Sequence, residues 1–231
     1  MAFQLKPVES RRLYQHIADQ IRELIDRGGF KAGTRLPPER DLAQQLGVSR
    51  PSLREALIAL DVEGRVEVRS GSGVFVCAAL PDPAPRRTAA MGESPSQLME
   101  ARSVIEGEVV ILACARITEE LLARLRELLK SMEAGIERRH ARVDLDRQFH
   151  LTLAEMSGNA VLARLVGELF DERHSPISAK ISSRFESTRT WKAALKEHEA
   201  ILEAVEARDP IAAQAAIRAH LKASALRWVG D

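Results

Sequence analysis

The sequence predicts a mostly α chain in two parts: helices closed by a short β-hairpin, then an all-α helical bundle. Three observations predict it. Apolar residues recur at three- and four-residue spacing along most of the chain, as in helices with one buried face. Val66-Glu67-Val68-Arg69 and Val74-Phe75-Val76 alternate at period two around Ser70-Gly71-Ser72-Gly73, as in two short strands with a glycine-rich tip. Residues 78–95 hold four prolines and no apolar period, which reads as a linker. The expected domains are therefore 1–77 and 96–231, joined by 78–95.

In the first domain, Leu13, Ile17, Ile21, Leu24 and Ile25 give a helix over roughly 11–27, stopped by Gly28-Gly29. Pro37-Pro38 leads into a second helix with Leu42, Ala43 and Leu46 on its apolar face, and Gly47 makes the turn. Ser49 suits the N-cap of a third helix, because its hydroxyl can accept an orphan backbone N–H. Leu53, Ala56, Leu57 and Leu60 form that helix's inner stripe and Gly64 ends it. This leaves Arg50, Ser52, Arg54 and Glu55 near its N-terminal, solvent side. Helix, helix, glycine turn, capped helix and glycine-tipped hairpin are the parts of a winged helix-turn-helix.

The second domain reads as helices throughout. Leu98 to Ile117 is apolar on one face. Thr118 caps a helix running to about Arg138, with Glu119 and Glu120 in its first turn. A third spans roughly 143–157 and ends at Gly158-Asn159. A fourth begins near Ala160 and meets Pro176, which should break or kink it. A fifth covers about 188–207. The last starts at Asp209-Pro210, an N-cap followed by proline at the first helical position.

The 231 residues are 29% charged and 45% apolar, an ordinary globular composition. No apolar run long enough for a membrane span and no signal-peptide pattern are visible, and Cys77 and Cys114 stand apart, outside any C-x-x-C. A cytoplasmic protein with reduced thiols and no membrane partner is expected. Residues 1–77 carry twelve basic and ten acidic side chains, so bulk charge does not point to nucleic acid. Placement does: the N-terminal residues of a recognition helix reach base edges in the major groove, and an arginine fork matches guanine O6/N7. Arg40 can clamp a phosphate or a base, and Gly71 and Gly73 let the wing tip approach a narrow groove. From spacing alone, the same arginines can also be a solvated helix face.

Arg35-Leu36-Pro37-Pro38-Glu39-Arg40-Asp41-Leu42-Ala43, then Leu46-Gly47-Val48-Ser49-Arg50-Pro51-Ser52-Leu53-Arg54-Glu55-Ala56-Leu57, resemble the N-terminal signature of the GntR family of bacterial regulators. The Gly64-Arg65-Val66 turn and the Gly71-Ser72-Gly73-Val74-Phe75-Val76 wing match it as well. The resemblance implies that Arg40, Ser49, Arg50, Ser52, Arg54 and Gly71 contact double-stranded DNA. Pro51 stands where many relatives carry threonine, and removes one possible donor.

In the second domain, His150 lies four residues after Asp146, on the same helical face, and His198 and His220 lie on the two last helices. One carboxylate and three imidazoles facing into a bundle make a nitrogen/oxygen metal site. Isolated histidines on helices are more often plain surface or core residues, so spacing alone does not assign a metal. Asp146-Arg147-Gln148-Phe149-His150 with Ser157-Gly158-Asn159, Glu197-His198-Glu199-Ala200-Ile201-Leu202 and Ala219-His220-Leu221 resemble the FCD-type sensor domain of the fatty-acid-regulator-like GntR branch. That resemblance implies that Asp146, His150, His198 and His220 hold a divalent cation: Zn, Ni, Mn or Fe. It also implies that Arg102 faces an effector pocket, where a guanidinium suits a carboxylate. A salt bridge from Arg102 to Glu106, one turn on, is the other reading. The segment from Phe170 to Trp191, with Arg173, is similar to regulators of hexuronate catabolism.

The function expected is a DNA-binding regulator, a repressor, controlled by a small organic acid such as a hexuronate. A homodimer reading an inverted repeat is expected, because one recognition helix covers too few base pairs. A regulator that senses the metal itself is the alternative, and a metal-dependent enzyme fused to a DNA-binding domain the more distant one. The second half shows no βαβ alternation and no general base beside the histidines, which argues against an enzyme.

Overall fold

The protein is described from a computed structural model, which covers residues 12–69, 71–77 and 91–229. Ser70 at the hairpin tip and linker residues 78–90 lie outside the described residues. The chain divides into two compact units, Met1–Ser94 and Pro95–Asp231.

The first unit contains α1 (Leu13–Asp26), α2 (Glu39–Leu46), α3 (Arg50–Val62), β1 (Val66–Arg69) and β2 (Gly73–Val76). Ile17, Ile21 and Ile25 of α1 are buried, as are Leu53, Leu57 and Leu60 of α3, and the two helices pack together. Leu13 and Leu24 share the helical period but flank the stripe, and are 53% and 46% exposed. The strands pair antiparallel, Val66 opposite Val76 and Val68 opposite Val74. The free edge of β2 is covered by the segment before α2: Leu36 N donates to Val74 O at 2.8 Å and Val76 N to Thr34 O at 2.9 Å. An edge closed this way offers no template for pairing with another chain.

Glu55 departs from its expected place on the solvent side of α3. It is 1% exposed and accepts a hydrogen bond from the Ser94 hydroxyl at 2.8 Å. Two residues from both Leu53 and Leu57, Glu55 lies on nearly the opposite side of α3 from their stripe, so its burial comes from another segment lying over that side. That segment is the end of the linker. Tyr14 Oη donates to Gly92 O at 2.8 Å, and Arg12 pairs with Glu93. Residues 92–94 are thus strapped to α1 and α3.

The second unit contains α4 (Pro95–Ala115), α5 (Glu119–Ala134), α6 (Arg139–Met156), α7 (Ala160–Asp171), α8 (Pro176–Phe185), α9 (Thr188–Glu206) and α10 (Pro210–Val229). α4 packs along α10, with α9 and α6 beside them. Thr118 Oγ accepts from Leu121 N, and Asp209 Oδ1 accepts from Ile211 N and Ala212 N, as their N-cap positions require. Pro176 does not kink a continuing helix. α7 ends at Asp171, a 3-10 turn spans Glu172–His174, and Pro176 opens α8 at a position that has no intrahelical N–H bond to lose. Phe149, Phe170, Leu125, Leu153, Ile177 and Ile201 fill the centre of the bundle. Among the described residues, no helix is long and apolar enough to cross a membrane.

One glycine fixes the hairpin. Gly73 has φ +103°, and a Cβ there would fall 2.5 Å from Arg35 Nε. Gly73→Ala should therefore cost about 1–3 kcal/mol by denaturant unfolding, the usual cost of backbone strain outside glycine's range. An unchanged midpoint would show that the wing tolerates a side chain there.

Candidate functional sites

The face that α3 turns outward carries the residues singled out for DNA. Ser49 caps α3, its Oγ accepting from Ser52 N at 3.2 Å and lying 2.9 Å from Ser52 Oγ. Arg40 and Arg50 are exposed, and Gly71 is exposed at the wing with φ +71°. Arg54 is not extended into solvent. Its Nε and Nη2 donate to Glu39 Oε2 on α2 at 3.1 and 2.8 Å. A partly exposed pair of this kind is worth about 0–1 kcal/mol, whereas a bidentate guanine contact is worth about 1–3 kcal/mol, so a base can draw Arg54 away. Arg69 on the wing, over the Phe75 ring at 4.5 Å, is a further exposed cation that the sequence pattern did not single out.

The second site is buried in the bundle. Inward positions on α6 that would ordinarily hold leucine instead hold Arg142, Asp146 and His150, all buried. His198 on α9 and His220 on α10 meet them. One candidate ligand atom from each of Asp146, His150, His198 and His220 lies within 4.8 Å of all the others. His198 Nε2 is 3.4 Å from His150 Nε2 and 3.1 Å from Asp146 Oδ1.

Two of the imidazoles are oriented by carboxylates behind them. His150 Nδ1 is 2.5 Å from Glu106 Oε2, and His220 Nδ1 is 2.8 Å from Glu197 Oε2. Each Nδ1–H donates outward, so a neutral ring turns its Nε2 lone pair inward, the arrangement that raises the basicity of a metal-ligating histidine. Burial opposes the charged form of His150, but Glu106 and Asp146 outweigh it and raise its pKa. Sequence spacing did not single out Glu106 and Glu197 for this role. Glu106 was visible only as a partner for Arg102, and Glu197 reaches across to α10 rather than to its neighbour His198.

Electrostatics follow from burial. Burial alone would raise the Glu106 carboxyl, but the Arg102 and His150 charges outweigh it and hold it down at about 2. Burial likewise opposes ionisation of Asp146, and His150, His198 and Arg173 reverse it, leaving that carboxyl well below the usual range. Burial, then the adjacent His198, push His220 down to about 3, so its ring is neutral at neutral pH. Asp146 Oδ1 is buried and accepts no hydrogen bond, although it faces the histidine nitrogens. Converging lone pairs and an orphaned carboxylate oxygen suit a divalent cation, with nitrogen and oxygen donors and no thiolate.

Arg102 satisfies one of its two readings directly. It is 2% exposed, and its Nε donates to Glu106 Oε1 at 2.7 Å. Its Nη2 has no partner, and the guanidinium lies 4.6 Å from the Phe170 ring centroid. On the other side of Asp146, Arg173 donates to Asp146 Oδ2 at 2.9 Å and to Glu186 Oε1 at 2.7 Å. There a cavity of about 20 Å³ is lined by Asp146, Arg173, Glu186, Trp191, Arg227 and Trp228, among others. That is room for a water or two.

Glu106 is the counter-charge for two buried groups. Glu106→Ala should cost about 3–5 kcal/mol, because it strands the Arg102 charge in the core. Urea unfolding monitored by helical circular dichroism measures this; a loss below about 1 kcal/mol would mean that water reaches Arg102 and that the pair is not sealed.

Residues 13–76 match the bacterial regulatory proteins of the gntR family, and residues 97–223 match the FCD domain. The chain is similar to the Exu regulon transcriptional regulator of Escherichia coli K12, 34% identical over 218 residues, spanning 93% of this chain and 83% of that one. It is also similar to the Uxu operon transcriptional regulator of the same organism, 32% identical over 219 residues, spanning 92% and 85%. Among solved structures it shares its fold with Lar, which controls expression of the Listeria monocytogenes agr system. There the TM-score is 0.52 at 21% identity, over 95% of this chain and 98% of that one. The chain belongs to the gntR family of bacterial regulatory proteins, in the branch with a C-terminal FCD domain, and is a DNA-binding transcription regulator rather than an enzyme.

Proposed function

We propose that this regulator is a cytoplasmic homodimeric repressor whose grip on an inverted-repeat operator is set by a sugar acid bound beside a divalent cation. The observation that carries the reading is the convergence of Asp146, His150, His198 and His220, with Asp146 Oδ1 buried, without a hydrogen bond, 3.1 Å from His198 Nε2. The three imidazoles and that oxygen would hold the cation, and a bound cation supplies open coordination positions for ligand oxygens. The unpartnered Nη2 of Arg102 offers a further N–H to the acid. Similarity to the Exu and Uxu regulators supports a hexuronate as the acid.

The route to DNA is along the chain itself. Ser94 is hydrogen-bonded to Glu55 of α3, and the next residue, Pro95, begins α4, which carries Arg102 and Glu106. A ligand that shifts α4 acts on the strap beneath the recognition helix. It can do so only by preferring one arrangement over the other.

The small size of the cavity beside Asp146 favours a second reading, in which the cation alone is the signal. One titration decides between them. Operator affinity is measured for wild type and His198→Ala with Zn²⁺ alone and with Zn²⁺ plus D-galacturonate or D-glucuronate. The sugar-acid reading expects release only when acid is added, and about one equivalent of metal lost in the variant. Release by Zn²⁺ alone favours the metal sensor, and a metal-free wild type that ignores Zn²⁺ refutes both.

At the DNA face, Arg50→Ala should cost about 1–3 kcal/mol on the operator and much less on random DNA, as loss of a base contact does. Sedimentation of the same complexes should give two protomers per site. Equal losses on both DNAs would make Arg50 a phosphate contact, and one protomer per site would remove the dimer.

A further inference from the structure

We infer that Glu186 is a tethered carboxylate that holds, in the ligand-free protein, the place on Arg173 that the carboxylate of the effector takes. This rests on the sugar-acid reading above and specifies how the acid is received. Arg173 is a buried cation shared between two carboxylates. Its Nη1 donates to Asp146 Oδ2 and its Nη2 to Glu186 Oε1, and all three side chains are at most 10% exposed.

The two carboxylates are not equivalent. Asp146 sits in the middle of α6 and belongs to the histidine cluster. Glu186 sits just after the end of α8, in extended backbone, one residue before the Ser187 cap of α9. Its second oxygen, Oε2, is buried without a hydrogen-bond partner. A carboxylate half-satisfied on a two-residue connection is the member that leaves at the lower cost, because its exit restores solvation to its unbonded oxygen while the incoming acid replaces its pair with Arg173. The Asp146 carboxylate cannot leave without dismantling the histidine cluster.

The surroundings match a sugar acid rather than a bare anion. The chain's two tryptophans, Trp191 and Trp228, both line the cavity at Arg173 and Glu186. The Arg173 guanidinium lies 4.6 Å from the Trp228 ring and 5.9 Å from the Trp191 ring. Indole faces accept the C–H face of a pyranose, while Arg173 Nη2, which now holds Glu186, takes the carboxylate. At about 20 Å³ the cavity admits no hexuronate while Glu186 remains in place. Departure of Glu186 frees both a site for the acid group and the volume that its own side chain fills. The effector therefore competes with an internal carboxylate, and its apparent affinity is reduced by the fraction of time that Glu186 holds Arg173.

The test is calorimetric titration of the full-length protein with D-galacturonate, D-glucuronate and the methyl ester of galacturonate, for wild type, Glu186→Gln and Glu186→Asp. Tryptophan fluorescence provides a second readout. If Glu186 holds the site nine-tenths of the time, Glu186→Gln should lower the apparent Kd for the acid by about tenfold. Glu186→Asp should fall between it and wild type, which keeps the test alive if the glutamine variant does not fold. The neutral ester should gain nothing. Binding of the acid that is unchanged or weakened in both variants overturns the inference while leaving the sugar-acid reading intact. No binding of either hexuronate to any of the proteins overturns both.

Discussion

The buried ionic cluster of the helical unit is the constraint on which its architecture depends. Asp146 and His150 occupy inward positions of α6, and charge or lone pairs at those depths are tolerated only with partners. Those partners come from every side: Glu106 and Arg102 from α4, His198 from α9, His220 from α10, and Arg173 from the turn after α7. The helices therefore cannot slide past one another as a leucine-packed bundle can. A shift of one turn would leave at least one ionised group unpaired, at a cost of several kcal/mol.

The winged-helix unit solves a different problem. Its recognition helix must be anchored firmly along one face and remain open at its N-terminus. Leu53, Leu57 and Leu60 provide the anchor, and Ser49 closes the first turn without covering it. Glu55 makes the helix more than a passive reader. A buried carboxylate, satisfied by the Ser94 hydroxyl, ties the recognition helix to the residue that leads directly into α4. Arg54 is held by Glu39 on α2, so any contact it made with a base would exchange an internal carboxylate for that base. Such a competitor weakens contact with DNA that offers no good acceptor, which favours specificity over affinity.

The sensor follows the same logic at Arg173, where a cation is shared by a fixed and a loosely held carboxylate. In both units an arginine is held by a carboxylate of the same chain. The arrangement avoids stranding a buried guanidinium, and any outside partner would gain only the difference between two similar pairings.

By itself the sequence determined the elements and their punctuation. Helical period placed the helices, and Ser49, Thr118 and Asp209 marked their starts, because a cap is a contact between residues two or three apart. Asp146 and His150 were legible as a pair for the same local reason, and His198 and His220 entered through motif resemblance. Boundaries shifted: α6 begins at Arg139, before the expected 143, and the helix expected to break or kink at Pro176 ends at Asp171, with Pro176 opening the next one. What only the tertiary structure decided were pairings between residues far apart in the chain. Glu106 behind His150, Glu197 behind His220, Glu186 on Arg173 and Ser94 on Glu55 carry no periodic or spacing signal. A polar side chain on an amphipathic helix shows which face it occupies, but its partner is fixed only when another helix is packed against that face.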